Sequence, residues 1–454
     1  MSNPFKQTLR AGSNCPTSSR GAGLCRGMRY LHMAPTPGRL ERTGGGEALD
    51  VHGETAHGEA DRHGAPDVHL PGGTRMSLSL VGIAATVWWV ALLQARLVTM
   101  AATFLHPGAR RRAALRADQP GVSIVIPVTQ VDLGLDAEFD STFSQAYPGF
   151  EVLITSAETE SAAIDTARRI ASRFPETPVR FLLGNERRTL NPKISNIAPA
   201  ITNASHDLVL IKDSNVRLPP GCLTELVRNL TPGTGMVCAI PINVGPESFP
   251  AEIECAMTNA HAAPWLMAGS LINLDIGFGK VMLFDRRDFE RAGGIRVMAS
   301  TFGDDHALAK ALSRVGLRTV FAGGVVFRVM GRRTFREVWA RQLRWMVIRR
   351  CESPLAFLAE PLGSAGCAVL AGAVAAPMFG LPSWSVAAAT LAFWLAGDAL
   401  VVVGRGWGWS WRFPFAGICR EILIAALWVR AWSSRTVSWA GRDLEVRDEA
   451  LGVT

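Results

Sequence analysis

Three short motifs carry side chains whose types and spacing could do chemistry, and the first is Asp213-Ser214-Asn215. It follows directly on the apolar, β-branched run 208–212. An acid at the end of a buried strand, with a second oxygen ligand two residues later, can hold a divalent cation (Mg²⁺ or Mn²⁺) that bridges a diphosphate. The same residue types also favour ordinary turns. The motif therefore predicts either a metal site at Asp213 or a plain strand-to-loop turn.

The second motif is an acidic pair, Asp304-Asp305, at the start of a helical pattern that runs to residue 312. Two carboxylates at a helix N-terminus cap backbone N–H groups and complement the helix dipole. Alternatively, one of them could be a general base that takes a proton from an acceptor hydroxyl. The local sequence by itself favours the cap.

The third motif, Arg341-x-x-Arg344-Trp345, lies in the amphipathic stretch 335–346. Two guanidinium groups one helical turn apart can clamp a diphosphate leaving group, and the tryptophan can form a wall of the acceptor site. An interfacial helix with arginines reaching toward water would show the same pattern. Both interpretations place this helix at a membrane surface.

The elements that must position these motifs lie between residues 120 and 330. Short β-branched runs alternate there with helical patterns such as 162–172 and 223–230. This alternation predicts an α/β fold with a mostly parallel sheet, in which ligands bind beyond the carboxyl ends of the strands. The predicted strands are 122–128, 151–156, 179–183, 208–211 and 236–240.

Membrane segments flank this domain. Residues 76–95 contain no formal charge and are long enough to cross a bilayer. The arginines that follow place the downstream side in the cytoplasm by the positive-inside rule. A second charge-free run, 361–397, is broken at Gly380-Leu381-Pro382 and predicts a helical hairpin. A third stretch, 413–432, carries charges and fits either a span or an interfacial helix.

Composition excludes several other classes of protein. The 454 residues carry a net charge of +8, but 42 of the 47 basic residues are arginine, a skew typical of a GC-rich genome. The charge is therefore poor evidence for nucleic-acid binding. Eight cysteines without a C-x-x-C pair argue against zinc and thioredoxin-like chemistry. Residues 1–75 lack apolar periodicity and predict a disordered tail, or a start called too early, since Met76 opens the first apolar segment.

Together, these motifs and their order between membrane segments resemble the ceramide glucosyltransferases, a family of membrane glycosyltransferases with the GT-A fold. The resemblance runs from about residue 76 to 445 and leaves out only the tail. Other segments that carry it are Gly121-Val122-Ser123, Tyr147-Pro148-Gly149-Phe150-Glu151-Val152-Leu153, Asn191-Pro192-Lys193-Ile194-Ser195-Asn196, Arg287-Asp288, Ala292-Gly293-Gly294, Ala309-Lys310-Ala311, Arg420-Glu421, Val437-Ser438-Trp439 and Gly441-Arg442.

The resemblance implies an inverting hexosyltransferase that transfers glucose from UDP-glucose to the primary hydroxyl of ceramide. Asp305 would be the general base, and Asp213 would bind the divalent cation and the sugar diphosphate. The catalytic residues that it implies are Asp304, Asp305, Arg341, Arg344 and Trp345.

Four further residues are candidates for substrate binding besides Asp213. Glu158 stands where the family has its first signature aspartate, so the charge is kept on a longer side chain. Asn215 stands in the place of the second acid of a D-x-D motif, which the ceramide branch also lacks. Lys193 could be a compact partner for a phosphate. His261 lies near a histidine of the family, and a packed structural histidine is the alternative.

The sequence and the resemblance together predict an integral protein of a bacterial inner membrane, with its catalytic domain in the cytoplasm. Its expected partners are a nucleotide sugar, a lipid acceptor and the membrane, with no nucleic acid and no protein partner implied. The expected segments are a tail (1–75), an N-terminal span (76–105), the GT-A domain with a Rossmann-like mixed sheet (118–330), an amphipathic helix (331–352), a transmembrane hairpin (361–403), a third membrane segment (413–432) and a C-terminal tail (433–454).

Three alternatives stay open at the level of sequence. The acceptor could be a hopanoid or diacylglycerol, with UDP-N-acetylglucosamine or UDP-galactose as donor. A processive polysaccharide synthase would need more spans than the sequence predicts. A non-catalytic membrane protein with a decayed domain would not need Asp213, Asp305 and the Arg-x-x-Arg-Trp motif together.

Overall fold

A computed structural model describes residues 80–106, 118–129, 134–186, 189, 191–272, 274–434, 436–439 and 442–445. These residues all belong to one compact unit, Gly64–Thr454. The predicted tail 1–75, most of the arginines that follow the first apolar segment, and part of the predicted C-terminal tail lie outside the described residues.

A seven-stranded mixed sheet forms the centre of the catalytic domain. Its strand order is β3-β2-β1-β4-β6-β5-β7, in which only β6 runs antiparallel to its neighbours. The α/β fold predicted from the alternation of strands and helices is therefore confirmed. The strands are β1 (Val122–Pro127), β2 (Phe150–Thr155), β3 (Val179–Leu182), β4 (Leu208–Lys212), β5 (Thr234–Pro246), β6 (Val281–Asp285) and β7 (Arg318–Gly331), and a separate hairpin consists of β8 (Thr436–Trp439) and β9 (Arg442–Glu445).

Helices cover both faces of this sheet, which explains why its central strands are apolar throughout. In β4, Val209 and Ile211 belong to one hydrophobic core and Leu208 and Leu210 to the other, as the two-residue period of a strand requires. The helices of this region are α2 (Leu135–Phe143), α3 (Ala162–Ala171), α4 (Pro192–Thr202), α5 (Cys222–Asn229), α6 (Phe249–Cys255), a π-helix (Ala256–Ala262), α7 (Ala263–Leu271), α8 (Arg286–Arg291), α9 (Ile295–Ala299), α10 (Asp304–Arg314) and α11 (Phe335–Glu352).

Long apolar helices stand at the two ends of the described chain. Two of them, α1 and α14, are long and apolar enough to cross a membrane, and α12–α13, bent by 54°, would make a third if it is one span. The helix α15 carries three charged residues and is not among them. The bounds are α1 (Leu80–Leu105), α12 (Pro354–Ala359), a 3₁₀ turn (Glu360–Gly363), α13 (Ala365–Ala375), a second 3₁₀ turn (Ala376–Phe379), α14 (Ser383–Gly404) and α15 (Phe413–Ser433).

The membrane helices share one core with the sheet. Val401 of α14 and Leu427 of α15 belong to the same buried cluster as Ile211 of β4. Such continuity fixes the sheet rigidly against these helices, because a close-packed core transmits displacement instead of absorbing it.

A buried charge network joins three of these helices. Asp398 of α14 accepts from Arg96 of α1 at 2.6 Å and from Arg420 of α15 at 2.9 Å, and all three side chains are buried. Arg420 also pairs with Glu421 at 2.7 Å. Charged groups are tolerated at such depth when they pair with one another and face the protein interior.

Candidate active site

The carboxyl ends of the parallel strands meet at one edge of the sheet, and the candidate residues gather there. Asp213 follows β4, and Glu158 follows β2, which lies two strands away. Since β6 is antiparallel to β4, it starts at this same edge, and its preceding residue Lys280 lies beside Asp213. The Asp213 backbone N–H donates to the Lys280 carbonyl at 3.1 Å. Topology, more than sequence distance, therefore brings Lys280 into the site.

Asp213 is held by two ammonium groups. Lys280 Nζ lies 2.6 Å from Asp213 Oδ2, and Lys193 Nζ lies 3.3 Å from Oδ1. Burial alone would raise the pKa of Asp213, but the two lysines outweigh it and lower the pKa to about 2. The carboxylate is therefore charged at every physiological pH.

Lys193 connects Asp213 with the acidic pair. Its Nζ also lies 3.1 Å from Asp304 Oδ2 and donates to the Gly279 carbonyl at 3.0 Å. It stands in the first turn of α4, where the Asn191 side chain caps the helix by accepting from the Lys193 backbone N–H. Burial would lower the pKa of Lys193, but the nearby carboxylates raise it above its ordinary value, so the side chain stays cationic.

The acidic pair begins α10, and its two members face different partners. Asp304 is buried and accepts from Asn191 Nδ2 at 3.4 Å. Asp305 Oδ2 accepts from the Gly279 backbone N–H at 2.6 Å. Burial, reinforced by the charge of Asp304, raises the pKa of Asp305 to about 6. A carboxyl whose pKa lies near the working pH is suited to general base catalysis.

Close backbone approach keeps the loop before β6 against this pair. A Cβ on Gly277 would overlap the Asp305 backbone carbonyl, and one on Gly279 would meet the Asp305 carboxylate at 3.1 Å. Glycine at both positions lets the loop lie directly on the start of α10. We refer below to Lys193, Asp213, Lys280, Asp304 and Asp305 as the lysine–aspartate cluster.

The two arginines of the third motif lie in different surroundings on α11. Arg341 donates to the fully buried Glu254 of α6 at 2.6 and 2.8 Å, and Gln342 and Arg328 contact the same carboxylate. Arg344, one turn on, has its pKa lowered to about 10 by burial and by the neighbouring cations Arg341 and Arg328, and the charge of Asp213 opposes this shift. Arg344 is thus the arginine of the motif whose charge acts together with the cluster.

The other predicted site residues lie in different places relative to the cluster. Glu158 is exposed at the end of β2, and Trp345 is partly buried beside Arg344. His261 lies on the π-helix, and burial and Arg420 lower its pKa to about 4. The charges that act on His261 belong to the membrane helices and α11. It is therefore placed at the interface with the membrane helices and not in the lysine–aspartate cluster.

Three residues that contact the site were not predicted as site residues. Asn191 belongs to the segment Asn191-Pro192-Lys193 that carries the family resemblance but had no predicted role, and Lys280 and Glu254 lie outside the quoted motifs. Lys280 could have been predicted if β6 had been known to run antiparallel to β4, since this places its first residues beside Asp213. The direction of β6 is set by tertiary pairing, so the sequence carries no local signal for it.

The residues after β4 also offer a place for a divalent cation. Asn215 Oδ1 is buried and has no hydrogen-bond partner, and the Asp213 carboxylate is two residues away. These are hard oxygen donors of the kind that Mg²⁺ and Mn²⁺ accept, with substrate phosphate oxygens and water completing the coordination. The donor set fits such a cation. The cation would share the Asp213 carboxylate with Lys193 and Lys280.

A mixed sheet with a charged cluster at its carboxyl edge, packed against apolar helices, fits a membrane-associated glycosyltransferase. The comparisons agree, since the family model described as glycosyl transferase family 21 matches residues 80–451. The chain belongs to this family, and it is a hexosyltransferase. The resemblance to ceramide glucosyltransferases is thereby confirmed.

Two relatives carry that name. Ceramide glucosyltransferase 1 of Caenorhabditis elegans is 23% identical over 335 residues, which cover 70% of each chain. The ceramide glucosyltransferase of Komagataella phaffii is 23% identical over 342 residues, covering 63% of this chain and 67% of its own. Among solved structures, the chain is similar to a mannosyltransferase from Pyrobaculum calidifontis in complex with GDP-Man and Mn²⁺, at 20% identity and a TM-score of 0.48, covering 78% of this chain and all of that one.

Proposed function

We propose that this membrane enzyme transfers glucose from UDP-glucose to the primary hydroxyl of ceramide, with inversion at the anomeric carbon. Membership of glycosyl transferase family 21 and the names of the relatives support this choice. The observation that carries it is the lysine–aspartate cluster, in which the predicted phosphate partner Lys193 and the predicted base Asp305 both contact the backbone of Gly279.

The reaction needs one proton transfer and one displacement. Asp305, as the carboxylate, takes the proton of the acceptor hydroxyl while that oxygen attacks the anomeric carbon. The bond from this carbon to the UDP oxygen breaks, and its electron pair leaves on the diphosphate. Because attack and departure occur on opposite faces of the sugar, the configuration inverts.

The cationic side chains stabilise the charge that develops on the leaving group. Lys193 and Lys280 stand at the carboxyl end of β4, and Arg344 faces the same region from α11. Fixed cations in a site of low dielectric stabilise a transition-state charge more than a ground-state one. Asp213 and Asn215 would hold a divalent cation, which when bound neutralises part of the diphosphate charge.

Packing against the membrane helices gives the site access to a lipid. α11 leads from the cluster to α12, and α12–α13 and α14 are apolar. An acceptor hydroxyl presented at the bilayer surface would therefore reach Asp305 without leaving the membrane. The proposed cytoplasmic side for the catalytic domain rests on the arginines that follow the first apolar segment in the sequence.

The proposed function is tested by combining each of three UDP-sugar donors with each of three lipid acceptors. Membranes containing the protein are incubated with labelled UDP-glucose, UDP-galactose or UDP-N-acetylglucosamine, and with ceramide, diacylglycerol or hopanoid, in the presence of metal or chelator. We expect one labelled lipid, glucosylceramide, in a metal-dependent reaction. Asp165→Asn, on the exposed surface of α3, is the matched control for carboxylate variants.

Other outcomes have clear meanings. A labelled diacylglycerol or hopanoid product would replace the proposed acceptor and leave the enzyme class intact. A long polymer would indicate a polysaccharide synthase, and no labelled product with any pair would contradict the proposed function.

A further inference from the structure

A third carboxyl group lies beside the acidic pair, on the last residue of α11. Glu352 is partly buried, and its carboxylate fills the space next to the Gly303 Cα, where any larger residue would place its Cβ. The Thr301 hydroxyl donates to Glu352 Oε1 at 3.4 Å. Residues 301–303 form the turn that leads directly into Asp304 and Asp305. Glu352 therefore lies against the backbone that sets the position of the predicted base.

The charges around Glu352 are mostly negative. Asp305 and Asp304 face it from α10, and Lys310, the cation of α10 that acts on it, is exposed to solvent. On its own helix, Arg349 pairs with Glu360, and Arg350 donates to the Ser434 carbonyl. The adjoining helix α12 (Pro354–Ala359) carries no ionisable side chain.

Negative charges crowded in this way oppose the ionisation of Glu352. Burial, followed by the charge of Asp305, raises the pKa of Glu352 to about 8, whereas that of Asp305 rises to about 6. These shifts favour the protonated form of Glu352 and the ionised form of Asp305 near pH 7.

We propose that Glu352 is a positioning residue that works in its protonated form, holding the 301–303 turn in place so that Asp305 can act as the charged base. Ionisation of Glu352 adds a third negative charge against that turn and displaces it. The activity of the enzyme should therefore fall at alkaline pH because Glu352 of α11 ionises, and not because its substrates do. This inference rests on the proposed role of Asp305.

The test is a pH profile of Glu352→Gln, which mimics the neutral carboxyl. For the wild type we expect kcat to fall above about pH 8, about tenfold per pH unit. Glu352→Gln should keep kcat within about twofold at pH 7, with its alkaline fall moved up by about one pH unit or more. Glu176→Gln, an exposed glutamate, is the matched control and should follow the wild type.

A second measurement does not depend on any substrate. A carboxyl whose pKa is higher in the folded than in the unfolded state stabilises the fold at low pH and loses that contribution as pH rises through the folded pKa. In detergent, the melting temperature of the wild type should therefore fall relative to that of Glu352→Gln between pH 6 and 8. The two curves should run parallel above pH 9.

The outcomes separate this inference from the proposed function. Parallel melting curves at all pH values, or a Glu352→Gln variant with little activity at pH 7 and an unmoved alkaline limb, would overturn the role of Glu352. If no donor and acceptor pair gives a product, the proposed function fails, and the melting curves alone then decide whether Glu352 holds the proton.

Discussion

At the scale of single residues, the site is a set of charges that tune one another. Lys193 lies within 3.3 Å of Asp213 and 3.1 Å of Asp304, so it holds two carboxylates from different elements in one place. The same lysine moderates the rise in the pKa of Asp305, which burial and Asp304 produce. The acidity of the predicted base is thus a property of the group and not of one side chain.

Replacement of the predicted base should remove catalysis and spare binding. We expect Asp305→Asn to lower kcat by about 10²–10⁴-fold, because the amide cannot accept the acceptor's proton, while UDP affinity stays nearly constant. Radiolabelled transfer and UDP titration of the purified enzyme measure the two effects. Normal turnover by Asp305→Asn would exclude it as the base, and Asp165→Asn should leave both quantities unchanged.

The same carboxyl predicts the acid limb of the pH profile. Its pKa is raised from 3.8 to about 6, so the base is ionised above this pH and protonated below it. Activity should therefore fall as pH decreases through about 6, about tenfold per pH unit. An acid limb that stays near pH 4 would show that another group limits activity.

At the scale of elements, the two arginines of α11 are expected to do different work. Arg341 satisfies the buried carboxylate of Glu254, and removal of one partner of a buried pair costs about 3–5 kcal/mol. Arg341→Met should therefore lower the melting temperature clearly. Arg344→Met should lower kcat about 100-fold, because it removes the cation that is proposed to stabilise the leaving diphosphate.

Melting curves and single-turnover rates of both variants test this division. Arg336→Met, an exposed arginine on the same helix, is the control and should change neither quantity. A melting temperature of Arg341→Met equal to that of Arg336→Met would contradict the structural role of Arg341.

Elements also show how far the sequence could lead. Short β-branched runs separated by turn residues predicted β1 to β4 to within two residues. The pattern is clearest in β1, β2 and β4, because nearly all of their residues on both faces are buried, whereas the edge strand β3 is only partly buried. The long strand β7, with polar and apolar residues mixed, was not predicted, since its pairing with β5 is decided by tertiary contacts. Asp213 and Asp305 were predicted to share a site, and the structure brings them together around Lys193 and Gly279. The catalytic roles of these residues stay predictions.

What the sequence could not give is the partner that each charge finds. Lys280 and Glu254 acquire their roles from strands and helices that are distant in sequence, at separations of 67 residues from Asp213 and 87 from Arg341. No local pattern encodes such pairs. Glu352 belongs to this group as well, because it meets the turn before α10 only in the folded chain.

At the scale of the whole molecule, the catalytic sheet and the membrane helices form one folding unit. Because the two parts share a core and the Asp398 network, a destabilising substitution in the membrane helices should lower the stability of the whole protein. We expect Asp398→Ala to destabilise the protein by about 3–5 kcal/mol, because it leaves the buried Arg96 and Arg420 without their common carboxylate.

Thermal unfolding of the detergent-solubilised protein measures this change. Leu400→Ala, an exposed residue on the same helix, serves as the control and should behave as the wild type does. A melting temperature of Asp398→Ala equal to that of Leu400→Ala would show that the network contributes little to stability.

The Arg96–Asp398 pair also has a consequence for how the chain is made. Asp398 is synthesised 302 residues after Arg96, which at about 5–20 residues per second takes about 15–60 s. During that interval α1 carries an arginine whose partner does not yet exist, and the catalytic domain emerges while its anchor is incomplete. The buried ion pair that joins α1 to α14 can therefore form only after most of the chain has been made.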